Sequence, residues 1–298
     1  MHLLALLACT GTDPEPPGES ASQESDPPQD SKGAEESALE PFSVTVRVTL
    51  DGEPVEGASV SQGGRARRWI SGADGRVAVE VDPSVEGGEL AVIAAHDEAR
   101  TWFSYVDAED AGAEVTVELT RFETGDNRLY TYRDPGEPER RETTNQCAHC
   151  HVTINEDWFA SPHADSADSP TVQATWALLS EEIEGSGQCA DCHAPGIEGD
   201  LGGHRLDEAQ DLSLDYGVHC DTCHRVESVD LNSHEPGVAG RLKVLRPSED
   251  GGAAFEFAPL QFGPYDDVPN IAMGAVQRDH FTNGQVCAGC HEHEQASL

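Results

Sequence analysis

Basic residues are scarce: 18 Lys and Arg stand against 56 Asp and Glu, a formal charge of -38. A surface of that sign repels phosphate backbones and anionic headgroups alike, which excludes nucleic-acid binding. Aromatics are only 6% and apolar residues 37%, below the share of about 45–50%, glycine included, of an ordinary globular chain. Side chains alone therefore make a thin core. No apolar run reaches the roughly 18 residues needed to span a bilayer, so the chain is not a polytopic membrane protein. Methionine occurs twice. What the chain has in excess is cysteine and histidine, 9 and 13 in 298 residues, over a length that suggests about two domains at roughly 150 residues each.

Eight of the nine cysteines form pairs two residues apart, and a histidine follows each pair: CAHCH at 147–151, CADCH at 189–193, CDTCH at 220–224 and CAGCH at 287–291. At this histidine frequency four such placements arise by chance roughly four times in a million, so the pattern is read as the c-type haem attachment signature. Two thiols must reach the two vinyl groups on one porphyrin edge while the next residue offers imidazole to the iron, and this spacing lets one turn do both. Haem is thus expected on Cys147 and Cys150, Cys189 and Cys192, Cys220 and Cys223, and Cys287 and Cys290, with His151, His193, His224 and His291 as proximal ligands. Zinc could use paired cysteines but leaves the four adjacent histidines unexplained. Disulfides across two-residue gaps are of the redox kind, not the structural kind.

What holds each iron on its far side separates a carrier from a catalyst. Seven further histidines lie beyond residue 123. His149 sits between the thiols of its own motif and His219 directly precedes Cys220, so neither reaches the far face of its own haem, though either could serve another. His293, just past a proximal ligand, reads equally well as solvated. His163 in WFASPHADS, His204 in LGGHRLDE, His234 in LNSHEPG and His280 in QRDHFTNG lie in turn-rich segments between motifs and are the candidate distal ligands. A surface or capping role is the alternative for each, and an even one for His204 and His234. Met273 is the only methionine besides the first residue, so at most one iron has His/Met ligation and the set leans to low potentials.

The first nine residues, MHLLALLAC, resemble a bacterial lipoprotein signal, with Leu6, Leu7 and Ala8 ahead of an acylatable Cys9. The run lacks the usual leading basic residue and is short for an export signal. Residues 10–41 are acidic and rich in Pro, Ser and Gly, a disordered tether able to span roughly 30 Å. From 42 the pattern alternates: Phe42, Val44, Val46, Val48 and Leu50 share one face of a strand, Asp51-Gly52 turns the chain, and similar runs recur near 77–81, 90–94, 102–106 and 115–119. Residues 42–122 are therefore expected to form a small all-β sandwich. The stretches GEPVEGASV and SGADGRVAVEV resemble the carboxypeptidase regulatory-like domain, a resemblance that implies a spacer or docking module without catalysis. His96 stands alone here and is expected to be exposed.

Residues 123–298 hold all four motifs with few strands, so the cofactors must provide much of the core and the region is expected to be mainly α and loop-rich. Ser169-Pro170 opens a helix whose Val172, Trp176, Leu179 and Ile183 share a face, stopped by Gly185 and Gly187. Arg241, Lys243 and Arg246 in RLKVLRPS are candidate partners of haem propionates, or else a solvated basic strand. The pieces CAHCH with WFASPHA, CADCHAPG, GVHCDTCHRV, FGPYDD and DHFTNGQVCAGCHEH resemble multihaem cytochromes c grouped with the tetrahaem electron carrier of nitrifying bacteria. That resemblance implies that His163 serves a haem other than its neighbour's, with His280 a second such case. The expectation is an exported electron carrier of the bacterial envelope with four covalent haem c groups, held to a membrane only through a lipid on Cys9 and meeting redox partner proteins. The alternative is a multihaem oxidoreductase with one open iron acting on a small nitrogen or sulfur compound. A third reading, a surface binding protein, finds no binding face singled out in 43–122.

Overall fold

The computed structural model describes residues 40–85, 90–123, 125–182, 189–233, 240–248, 260–271 and 273–292. Cys9, nearly all of the tether, the far end of the 170s helix, His234 and His293 fall outside these.

The alternation of FSVTVRVTL forms β1 (Phe42–Leu50), whose Val44, Val46, Val48 and Leu50 are buried. Asp51 and Gly52 both take positive φ, 56° and 83°, as a two-residue turn matched to strand twist requires, and return the chain as β2 (Glu53–Pro54). There follow β3 (Ser59–Gln62), β4 (Trp69–Ile70), β5 (Arg76–Val81), β6 (Ala91–His96), β7 (Ala99–Tyr105) and β8 (Glu114–Arg121). The expected sandwich is instead one continuous sheet in the order β2-β1-β8-β7-β6-β3-β4, with β5 paired to β1. The ladder is short: β7 pairs with β8 at Ala99 with Arg121 and Arg100 with Thr120, and farther along the Ser104 hydroxyl donates to the Thr116 carbonyl at 2.7 Å. Those two pairs join what would have been separate sheets into a strand-rich half-barrel around Val44, Val46, Val48, Val60, Val79, Val92, Val117 and Leu119. His96 is half-buried, with Nδ1 3.0 Å from the Asp97 carboxylate, rather than exposed.

The remainder is made of short helices: α1 (Val152–Phe159), α2 (Pro170–Glu182), α3 (Ala190–His193), α4 (Leu212–Asp215), α5 (Cys220–Cys223), α6 (Asp279–Thr282) and α7 (Gln285–His291). Two ribbons accompany them, antiparallel β9 (Val226–Val229) with β10 (Leu242–Val244), and parallel β11 (Gln261–Gly263) with β12 (Ala275–Gln277). The apolar clusters here are small, as the composition predicts. One holds Phe122, Leu245, Leu260, Phe262 and Val276. Another gathers Ala167, Ala190, Ala194, Leu206 and Ala209, and on it pack Val172 and Trp176 of α2. That helix starts where the sequence says, with the Gln173 N–H on the Ser169 carbonyl at 2.9 Å.

The half-barrel is docked rather than free. Ile93 and Ala95 of β6 cluster with Val268, and the Gly64 N–H donates to the Pro269 carbonyl at 2.7 Å. Arg278 donates to the Asp97 carbonyl at 2.8 Å and lies over the rings of Phe122 and Phe262, at 5.6 and 4.9 Å. Among the described residues no helix is long and apolar enough to cross a membrane.

Candidate functional site

Each of the first three motifs is a single helical turn closed by its own histidine. The backbone N–H of His151, His193 and His224 donates to the carbonyl of Cys147, Cys189 and Cys220, at 2.9, 3.0 and 3.0 Å. The fourth motif lies wholly within α7. Residues four apart share a helix face, so each turn sets the first cysteine and the histidine side by side, with the second cysteine one step away.

The four turns converge. The Cys147 thiol hydrogen-bonds that of Cys220, which lowers the pKa of the first and raises that of the second. Cys192 and Cys290 form the same pair with the same signs. Burial, with the neighbouring Cys287, pushes Cys223 up to about 11. The motifs thus run in space first, third, fourth, second, and the eight described cysteines are free thiols. A cavity of about 800 Å³ opens between the second, third and fourth motifs, lined among others by Cys192, His193, Cys223, Cys287, Cys290 and His291.

Two proximal imidazoles are held by backbone carbonyls: Nδ1 of His224 lies 2.6 Å from the Phe262 carbonyl and Nδ1 of His193 lies 3.2 Å from that of Ser166. A hydrogen bond at Nδ1 fixes the tautomer and leaves the Nε2 lone pair for a metal. Burial lowers the pKa of His224 and keeps it neutral, as a ligand must be.

The candidate distal histidines differ from one another. The ring of His163 lies 6.0 Å from that of His291 at 72°. Two imidazoles gripping one metal from opposite sides at bonds of about 2 Å have ring centres roughly 6 Å apart. His280 is buried, with Nε2 3.1 Å from the Val226 carbonyl and Nδ1 open. His204 has both nitrogens engaged, Nδ1 with Glu208 at 2.8 Å and Nε2 with the Asp200 carbonyl at 2.7 Å. Burial opposes its protonation, but Glu208 and Asp200 outweigh that and raise its pKa. His149 points its Nδ1 at the Arg141 carbonyl, 2.7 Å away. His234 lies outside the described residues.

Residues 146–225, which carry the first three motifs, match the family model described as cytochrome c554 and c-prime. This segment is cytochrome c-like. The match supports covalent haem c on it, in agreement with the motif turns. No curated protein matches the chain. Among solved structures, one similar chain is a membrane-associated protein of unknown function from Bacteroides fragilis, 14% identical, with 48% of this chain and 46% of that one covered and a TM-score of 0.21. Another is a 9R-lipoxygenase from Cyanothece, 12% identical, with 56% and 33% covered and a TM-score of 0.21. The chain spans about half of the first and a third of the second, and neither likeness carries an argument.

Sequence reasoning missed several groups in and around the cytochrome c-like segment. Ser166 is a hub: its hydroxyl lies 2.8 Å from the His163 carbonyl, 2.7 Å from that of His193, and 3.0 Å from the Val218 N–H. Val218 also donates to the His163 carbonyl at 3.0 Å and accepts from the Trp158 indole at 2.8 Å, which pins the WFASPHA stretch to the bend entering the third motif. Gly217 makes the approach possible: its φ is 49°, and a Cβ there would come within 2.2 Å of the Ser166 hydroxyl. Asp221, inside the third motif, is buried and takes Tyr130 Oη at 2.7 Å, the Arg133 N–H at 2.8 Å, Arg225 at 2.8 and 3.0 Å and Gln261 at 3.2 Å. Burial pushes this carboxyl up, but Arg225 and the other donors outweigh it and hold it below its usual value. His219 is 1% exposed with neither ring nitrogen bonded, and burial lowers it to about 4. Most of these partners come from distant segments and leave no local signature; the exception is Arg225, four residues after Asp221, and the burial of His219 is set by the fold.

Proposed function

We propose that the chain is an electron carrier of the bacterial cell envelope with four haem c groups, one on each CxxCH turn. The observation that carries the reading is the convergence of four such turns on one another, with a spare imidazole facing a proximal one at a bis-histidine separation. The residues fit the group: free paired thiols, tautomer-fixed imidazoles and an apolar-walled cavity. Haem c supplies an iron that alternates between ferric and ferrous states. The chain's own part is to tether it through the eight cysteines, hold it through His151, His193, His224 and His291, and close its far side with His163, His280 and the remaining distal candidates, His204 and His234. The Phe262 and Ser166 carbonyls orient two of the proximal rings and raise their basicity. Surplus negative charge favours the ferric state and hence low potentials. The same charge steers basic redox proteins toward the surface, and Cys9, acylated, holds the chain at a membrane.

A second reading, a multihaem oxidoreductase, needs one iron without a second histidine. His204, with both nitrogens occupied, is where such an open site would arise. Spin state separates the two. Electron paramagnetic resonance of the oxidised protein is expected to show only low-spin iron; a high-spin iron that binds cyanide or nitrite would replace the carrier with the enzyme.

A further inference from the structure

In a chain with three acids for each base, arginines find carboxylates. Arg65, Arg68, Arg76, Arg121, Arg225 and Arg278 each face one within 4 Å. The three cations of RLKVLRPS part company on this point. Arg246 is buried against Asp126, at 2.8 and 2.5 Å, with the Gly199 carbonyl at 2.7 Å. Lys243 is exposed and 3.0 Å from Glu227. The charge of each is therefore met by a carboxylate, although Nη1 of Arg246 has no partner among the described residues.

Arg241 differs. It is 7% exposed, yet among the described residues its guanidinium makes one hydrogen bond, from Nη1 to the Gly289 carbonyl at 3.2 Å, and no carboxylate forms an ion pair with it. It lines the cavity beside Cys192 and Cys290, the thiol pair of the second and fourth motifs. A buried guanidinium without a counter-charge is costly, and its planar fork of donors matches a carboxylate better than any other group. We infer that Arg241 is the anchor for an anion within this cavity, the propionate carboxylate of a haem carried by the second or fourth motif. The inference rests on the cavity being a haem seat. It makes Arg241 a positioning residue that holds one propionate ionised and keeps one positive charge beside one iron.

The test is a redox titration over a range of pH on holoprotein carrying R241Q, R241K or K243Q, with covalent haem counted by mass and by the pyridine haemochrome. A wild-type chain without haem would defeat the function proposed above, before Arg241 is reached. With haem attached, R241Q is expected to move one reduction step to a more negative potential and to carry its pH dependence to higher pH, since the propionate loses its counter-ion. R241K, which keeps the charge and loses the fork, is expected to show a smaller shift in the same direction, and it carries the test alone if R241Q does not mature. K243Q removes the same unit charge from a side chain at the same cavity that is exposed and paired with Glu227, and is expected to shift every step less than R241Q does. Unmoved steps in R241Q and R241K, or an equal shift in K243Q, would overturn the assignment.

Discussion

The chemistry of this chain is concentrated in a handful of imidazoles whose surroundings set them apart. His163 is exposed, its backbone bonds do not involve the ring, and its imidazole has no closer contact among the described residues than its approach to His291, so His163→Ala is expected to leave fold and haem count intact while turning one iron high-spin, read by magnetic resonance. His219 behaves in the opposite way. Burial holds it neutral to about pH 4 in the folded state, whereas in the unfolded chain it takes a proton near 6.5. Its folded pKa is depressed, so the folded state loses stability as pH falls from about 6.5 toward 4, by on the order of 3 kcal/mol for a shift of this size. His219→Leu is expected to flatten that part of the pH–stability curve whatever its effect at neutral pH; an unchanged slope in urea titrations would show that another group is responsible.

Among the elements, the helical turn α5 shows how a motif is held by more than its own sequence. Its Asp221 is the sole carboxylate facing Arg225 among the described residues, and both are buried. Asp221→Asn leaves that guanidinium uncompensated and is expected to destabilise the fold by about 3–5 kcal/mol, measured by thermal or urea unfolding. Gly217→Ala is expected to cost about 1–3 kcal/mol through overpacking against Ser166, and to unseat the His163 loop. The local parts of these elements were readable in advance. The CxxCH spacing, the period-two run of β1 and the Ser169-Pro170 start of α2 are patterns within ten or so residues. What was not readable is pairing at a distance: the two residue pairs that fuse β7 to β8 into one sheet, the Phe262 carbonyl that orients His224 from 38 positions away, and the segments carrying Tyr130, Arg133 and Gln261 that meet at Asp221. A backbone carbonyl has no side-chain signature. Two pairs at i and i+4 were legible locally, His204 with Glu208 and Asp221 with Arg225, and neither belongs to an iron-ligand pattern.

At the scale of the whole molecule, the half-barrel and the haem-motif region share an interface in which Arg278 touches Asp97, Phe122, Glu227 and Phe262. Arg278→Ala is expected to loosen it, seen as faster amide exchange in β6, β7 and β12 with the motif turns unaffected. The net charge of -38 predicts that association with a basic redox partner weakens steeply as salt rises; a rate indifferent to ionic strength would contradict electrostatic steering. The central claim, that four tetrapyrroles are joined to this one polypeptide, is tested most directly by counting them. Intact mass and pyridine haemochrome on protein matured in a host that attaches haem c are expected to give four haems per chain, with the eight motif thiols closed to alkylation. A folded chain with fewer than four, or with those thiols free, would contradict the account.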